Sequence, residues 1–209
     1  MSDPTDPRFA TLKGIAAGIG LAAIASIVTV AVVHAAGGPF AVRPAPAHST
    51  TSQTSAPTTT HLYLTIESGR MIRKPGWPMY VPADFTVPAN AKVIVTIRNF
   101  DGGAAAVPAP YLRVQGTSGG SEQILAATPG AKPQTVAHLP TGGASHTFTV
   151  SQLHLNIPVP PASTVTFTFH THTPGKYTWQ CFAPCGTGKT GWAGAMADNG
   201  YMRGTMTVA

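Results

Sequence analysis

Two cysteines, Cys181 and Cys185, are the residues of this chain best suited to metal or redox chemistry, and both lie near its carboxyl end. A thiolate binds soft metal ions, and outside the cytoplasm two thiols can oxidise to a disulfide. Cysteines four residues apart in a glycine-rich loop can come within bridging distance. The pair therefore predicts either a metal site, a disulfide or a reduced, metal-free pair.

Side-chain alternation places one histidine in the same interior as Cys181. His146 has the parity of Phe148, and Cys181 has the parity of Trp179, so both polar side chains face the core if the strands run through these ends. A buried histidine must be hydrogen-bonded or ligated, because an unsatisfied buried polar group costs about 1 to 3 kcal/mol. His170 has the outward parity. We therefore expect His146 inside and His170 outside.

Short strands separated by turns are expected to position these residues. Gly and Pro are abundant, at 22 and 20 residues, while charged residues make up only 10% of the chain, which favours an all-β fold. Period-two alternation marks residues 93–97 and 164–170 as half-buried strands. Further predicted strands are residues 62–66, 147–150, 176–181 and 205–208, with glycine-rich loops at 101–121 and 182–204.

The amino-terminal part predicts a membrane anchor. Residues 14–36 carry no charge, and at the helical rise they are long enough to cross a hydrocarbon core. Lys13 and Arg8 precede the span and the next charge is Arg43, which places the bulk of the chain outside the cytoplasm at the cell membrane. Residues 1–38 are therefore interpreted as a cytoplasmic end plus a single-pass anchor, with a cleaved signal peptide as the alternative.

The rest of the chain divides into a linker and one domain. Residues 39–60 are rich in Pro, Ala, Ser and Thr and contain too few large apolar side chains to fold. Residues 61–209 are numerous enough for a single hydrophobic core.

Several function classes are disfavoured by the composition. The net charge of +6 is spread widely, so no stripe of Lys and Arg suited to nucleic acid is present. The seven acidic residues are scattered and offer no paired carboxylates for acid and base catalysis. We identify no catalytic site and no small-molecule substrate.

Four segments in order carry a resemblance to a known family. They are SHTFTV at 145–150, PPASTVTFTF at 160–169, PGKYTWQC at 174–181 and GYMRGTMTV at 200–208. Together they resemble the carboxyl-terminal half of a cupredoxin, in which a histidine, a cysteine and a methionine lie at the ends of strands. The resemblance implies a Greek-key β-sandwich, and it implies copper as the cofactor.

The spacing Cys181-x-x-x-Cys185 is similar to the copper domain of cytochrome c oxidase subunit II, which is also attached to the membrane. Carried over by position, the resemblance implies His146, Cys181, Cys185 and Met202 as metal ligands. It also implies that a backbone carbonyl comes from Ala183.

This chain departs from the family pattern at one ligand. A second histidine is expected between the cysteines and Met202, but the family spacing places Lys189 there, and counting back from the methionine reaches Asp198. One nitrogen and up to three sulfurs remain, a set that favours Cu(I). Met196 is a second thioether candidate.

The sequence thus predicts a membrane-anchored extracytoplasmic copper protein that transfers one electron at a time, similar to an oxidase subunit II. Its expected partner is a redox protein or a respiratory complex at the membrane. Two alternatives stay open: a Cu(I) carrier, and a metal-free interaction module with a Cys181–Cys185 disulfide.

Overall fold

The computed structural model describes residues 58–209 of the chain. This part contains eleven strands and three short 3-10 turns, joined by loops. The strands are β1 Thr58–Glu67, β2 Met79–Val81, β3 Phe85–Val87, β4 Ala91–Asn99, β5 Glu122–Ala126, β6 Gln134–Val136, β7 His146–Val150, β8 Leu155–Val159, β9 Ser163–His170, β10 Gly175–Gln180 and β11 Arg203–Val208. The 3-10 turns are Ala109–Leu112, Ser151–Leu153 and Gly194–Met196. The all-β prediction is confirmed for these residues.

The strands form two sheets. One has the order β2-β1-β4-β9-β5-β6 and the other the order β3-β11-β10-β7-β8. The pairs β1–β4 and β3–β11 are parallel, and the remaining strand pairs are antiparallel. The two sheets enclose a common apolar core.

The central pair of the first sheet shows why alternation predicts these strands well. Buried and half-exposed residues alternate along β9, and Val93, Val95 and Ile97 of β4 all face the same core. Val95 lies opposite Phe167 on β9, so the two apolar faces match in register. If one strand shifted by one residue against the other, its apolar side chains would turn away from the core. The register of this pair is therefore strongly specified.

A cluster of aromatic side chains supports the part of the core beneath the cysteines. Trp179, Tyr80 and Phe148 are completely buried. The ring centroids of Tyr80 and Trp179 lie 4.7 Å apart with an edge-on tilt, and those of Phe148 and Trp179 lie 5.6 Å apart. The Trp179 indole N–H donates to the Ala83 carbonyl at 2.6 Å, so its burial leaves no unpaired donor.

The structure also shows where alternation fails. The strand β1 begins at Thr58, inside the segment 39–60 that was interpreted as a linker, because its threonines pair in parallel with the start of β4. The strand β8 is buried at every position and contains Pro158, so it has no period-two pattern. The short strands β2, β3, β5 and β6 were likewise not predicted.

The predicted anchor at residues 14–36 lies outside the described residues. Within residues 58–209, no helix is long and apolar enough to span a membrane.

Candidate metal centre

His146, Cys181 and Cys185 come together at one end of the sandwich. Their ligand atoms all lie within 4.8 Å of one another. His146 and Cys181 are completely buried, while Cys185 is half-buried. The predicted inward direction of His146 and Cys181, and their convergence, are therefore confirmed, and His170 is exposed as expected.

The buried Asn99 at the end of β4 ties the histidine strand to its neighbours. Its side-chain amide donates to Ser145 Oγ and to the Pro160 carbonyl, both at 2.8 Å. Its amide oxygen accepts from the backbone N–H of Asp101 at 2.9 Å. Asn99 thus fixes the residue before His146 and the backbone of Asp101 at the same time.

Asp101 holds the outer nitrogen of His146. Its Oδ2 lies 3.1 Å from His146 Nε2, and an ionised carboxylate can only accept, so the imidazole donates this hydrogen bond. The other nitrogen, Nδ1, is buried and has no hydrogen-bond partner among the described residues. A carboxylate behind one ring nitrogen is the usual support for a metal-ligating histidine, which leaves Nδ1 as the ligand atom.

Backbone groups of strand β7 and of the loop that follows β10 position the sulfur of Cys181. The N–H groups of Thr147 and Ala183 donate to its Sγ at 3.3 and 3.4 Å. The N–H of Cys181 donates to the Met202 carbonyl at 2.8 Å. The donors to this sulfur are backbone groups, so their positions do not depend on side-chain rotamers.

Cys185 brings two further sulfurs into the site. Its Sγ lies 3.6 Å from Cys181 Sγ and 3.3 Å from Met196 Sδ, and both cysteines are free. Two thiolates on one tetrahedral ion, at about 2.3 Å each, would lie roughly 3.8 Å apart. The spacing of the two cysteine sulfurs therefore fits a shared metal ion.

The loop that carries Cys185 and Met196 is shaped by close backbone contacts. A Cβ on Gly186 would overlap the Ala193 carbonyl and lie 2.9 Å from Met196 Cγ. Thr187 and Ala193 exchange backbone hydrogen bonds at 2.9 and 3.1 Å. Only glycine fits at position 186, and it lets the loop fold Met196 back onto the cysteines.

Ionisable groups at the site are strongly coupled. Burial raises the pKa of the Cys181 thiol, but the hydrogen bond from Cys185 and the charge of His146 outweigh burial and hold this pKa well below its usual range. The hydrogen bond to Cys181, together with burial, raises the pKa of Cys185. Cys185 therefore holds its proton more tightly than Cys181 does.

The histidine and its carboxylate are also shifted. Burial lowers the pKa of His146, but the hydrogen bond to Asp101 and the charge of Cys181 raise it by more, so the net shift is upward. The hydrogen bond to His146 lowers the pKa of Asp101. Charge of both signs is thus stable in this buried region, because each group has an opposite partner.

The remaining residues that the family resemblance implied lie in different surroundings. Met202 is completely buried and its backbone bonds Cys181 and Ala195, whereas the thioether in contact with Cys185 belongs to Met196. The Ala183 carbonyl is 3.8 Å from Cys181 Sγ. Ligation by Met202 stays a prediction.

Lys189 and Asp198, which occupy the places where a second histidine was expected, are both exposed. In residues 58–209, the group of three metal-binding side chains contains a single imidazole.

Sequence reasoning missed two residues that build the site. Asp101 fell only within the predicted loop 101–121, and Asn99, two residues beyond the predicted strand 93–97, was not singled out. Asp101 lies 45 residues from His146, so no spacing in the sequence links them.

Comparisons with known proteins give low similarity throughout. No protein-family model and no curated protein matches the chain. Among solved structures, dithionite-reduced auracyanin from Roseiflexus castenholzii is 16% identical, with 73% of this chain and 98% of that chain covered and a TM-score of 0.33. Rusticyanin from Thiobacillus ferrooxidans is 18% identical over 74% and 79% of the two chains, with a TM-score of 0.32.

A multicopper oxidase from Campylobacter jejuni is 10% identical over 75% of this chain, with a TM-score of 0.40. The aligned part spans only 31% of that oxidase. Since similarity this low carries no functional argument, the case for a copper site depends on the residues of this chain.

Proposed function

We propose that this chain is a copper-binding cupredoxin that transfers single electrons outside the cytoplasmic membrane. One observation carries the proposal: the buried Nδ1 of His146 has no hydrogen-bond partner among the described residues, and a ring nitrogen of this histidine and the two cysteine sulfurs lie within 4.8 Å of one another. A polar atom buried without a partner is costly, and ligation would remove that cost.

The chemistry of the donor set favours copper. Thiolate and thioether sulfurs select soft ions, and an imidazole suits copper in both of its common oxidation states. When bound, copper supplies a one-electron couple between Cu(I) and Cu(II). The residues that would hold it are His146, Cys181, Cys185 and either Met202 or Met196.

The protein's own residues supply position and exclusion of water. Asp101 orients the imidazole through Nε2, which would leave the Nδ1 lone pair to hold the metal ion. The backbone N–H groups that donate to Cys181 and the aromatic cluster beneath it keep the sulfur in place. A site that does not rearrange when its charge changes is suited to electron transfer.

A copper titration of the full chain, reduced and in detergent, tests this function. We expect an intense visible band from thiolate-to-copper charge transfer and a spin-resonance signal that disappears on reduction. Failure of the reduced chain to bind copper, together with no titratable thiols before reduction, would contradict the proposal and favour the interaction module with a Cys181–Cys185 disulfide.

A second function, carriage of Cu(I), is favoured by the contact between Met196 Sδ and Cys185 Sγ. Two thiolates, a thioether and one imidazole form a soft set without the second nitrogen that would help to stabilise Cu(II). Tight Cu(I) binding without a visible band, measured by competition with a Cu(I) chelator, would select this function over electron transfer.

Membrane attachment and a role beside a terminal oxidase belong to the same proposal. The uncharged segment 14–36 supports the anchor, and the Cys181–Cys185 spacing supports the likeness to subunit II. We expect the full chain in the membrane fraction and a version lacking residues 14–36 in the soluble fraction. Copurification with heme–copper oxidase subunits would test the partner.

A further inference from the structure

A cleft leads from the solvent to the half-buried cysteine. It has a volume of about 350 Å³ and is lined by Cys185, Asp101, Arg70 and neighbouring residues of the segment 68–78, which connects β1 to β2. We call this segment the basic loop. The Asp101 carboxylate within the cleft is paired with His146, so its charge is already compensated.

The basic loop carries three cations and no acidic residue. These are Arg70, Arg73 and Lys74. Arg70 and Arg73 are exposed, and among residues 58–209 neither forms an ion pair with a carboxylate. The Arg70 guanidinium therefore lines the solvent route to Cys185, and Arg73 adds a second exposed cation on the same loop.

Lys74 fixes this loop to the site. Its Nζ lies 3.1 Å from the centre of the Trp77 ring and 4.6 Å from that of Tyr201, and it also lies 3.2 Å from the Tyr201 hydroxyl. A cation over the faces of two aromatic rings is attracted electrostatically by both, which stabilises the contact. The loop is thereby fastened to Tyr201, next to Met202 in the chain.

The backbone of the loop is closely folded as well. The N–H of Lys74 donates to the Gly69 carbonyl at 2.7 Å, and the N–H of Trp77 donates to the Lys74 carbonyl at 3.0 Å. Gly194 packs against the Trp77 ring, where a Cβ would lie 3.1 Å from two ring atoms. Because the loop is held on both sides, its backbone needs little ordering when a partner binds.

We propose that the basic loop is the docking surface for an acidic electron-transfer protein, which reaches the metal centre through Cys185. Positive charge around the mouth of the cleft attracts a negatively charged partner and raises its encounter rate. The exposed Met71, at 51% of its full accessibility, adds an apolar contact beside the two arginines. This inference rests on the proposed function for its redox role, but its docking surface can be tested without metal.

The test measures binding by calorimetry or by NMR shifts, using the metal-free, reduced full chain in detergent and an acidic flavodoxin as the probe. The variant Arg70→Gln/Arg73→Gln should weaken binding roughly tenfold at low ionic strength, with the difference disappearing at high salt. The matched control, Lys92→Gln/Lys176→Gln, removes two exposed cations at the opposite ends of strands β4 and β10 and should leave the affinity unchanged.

Equal affinity of the two double variants would overturn the docking surface, and so would tighter binding of a basic cytochrome c than of the flavodoxin. Binding to vesicles of anionic lipid that Arg70→Gln/Arg73→Gln abolishes, with flavodoxin binding intact, would overturn it too and assign the arginines to a membrane surface. In the copper-loaded protein, oxidation by hexacyanoferrate should slow in the arginine variant alone. Because the binding test needs no copper, its outcome is independent of whether the centre binds copper.

Discussion

Two buried regions of this protein have opposite effects on the charge of their ionisable side chains. At the candidate metal centre, His146 is completely buried but is paired with Asp101 and lies beside the sulfur of Cys181. In strand β5, Glu122 is also buried, yet neither of its carboxylate oxygens has a hydrogen-bond partner among the described residues.

The two carboxyl groups differ accordingly. The hydrogen bond to His146 lowers the pKa of Asp101, whereas burial raises the pKa of Glu122 to about 9. At neutral pH, Asp101 is therefore ionised and Glu122 is protonated. Burial alone favours the neutral form of a carboxyl group, whereas a nearby group of opposite charge favours the ionised form.

The largest effect is expected from removing the central sulfur of the metal centre. Cys181→Ser should abolish copper binding and any visible thiolate band, because a hydroxyl is a far weaker ligand for a soft ion. The absorption spectrum after copper titration measures this loss. Glu122→Gln is the matched control and should keep the wild-type spectrum; retained colour in Cys181→Ser would remove this sulfur from the site.

At the second region, Glu122→Gln should stabilise the fold. With a folded pKa of about 9 and an unfolded value near 4.5, wild-type stability falls as the pH rises between these values, because unfolding then releases a proton. Glutamine cannot ionise, so the variant should be more stable by about 3 kcal/mol at pH 7 and no more stable for this reason at pH 4. Urea unfolding at both pH values measures the difference.

An equal difference between Glu122→Gln and wild type at pH 4 and pH 7 would contradict the neutral state of Glu122. Asp101→Asn gives the opposite comparison, since loss of a carboxylate with a lowered pKa should cost stability at pH 7.

A smaller effect is expected from Asp101→Asn on metal binding. The variant keeps the size of the side chain but loses the negative charge that orients and polarises the imidazole, so copper affinity should fall about 10- to 100-fold. Competition with a chelator of known affinity measures this change. Unchanged affinity would show that the ion pair with His146 serves the fold and does not support the metal.

The smallest effect is expected from His170→Ala. This histidine is exposed at the end of β9, and its Nδ1 lies 3.3 Å from the Ser118 hydroxyl. The copper spectrum and affinity should match those of the wild type. A change in the spectrum would show that an imidazole outside the buried group contributes to the centre.

Periodicity was sufficient to predict most of the strands that carry the site. The pattern at 164–170 and the parity of Cys181 correspond to the observed strands and burial. His146 is buried as predicted, but every residue of its strand β7 is buried, so burial there does not depend on parity. Periodicity failed for β8, because both faces of that strand are covered and no alternation remains. It also could not link Asp101 to His146, since their contact depends on how Asn99 joins two strands.

The sequence by itself determined which side chains face inward, because successive residues of a strand point to opposite sides of a sheet. It also determined which candidate donors are available: two thiols, one imidazole predicted to face inward, and no histidine after residue 172. Tertiary structure alone decided that Met196 contacts Cys185, that Asp101 supports His146 and that the basic loop borders the cleft. These contacts join residues on separate loops, and loop positions follow from packing and backbone hydrogen bonds that have no periodic signature.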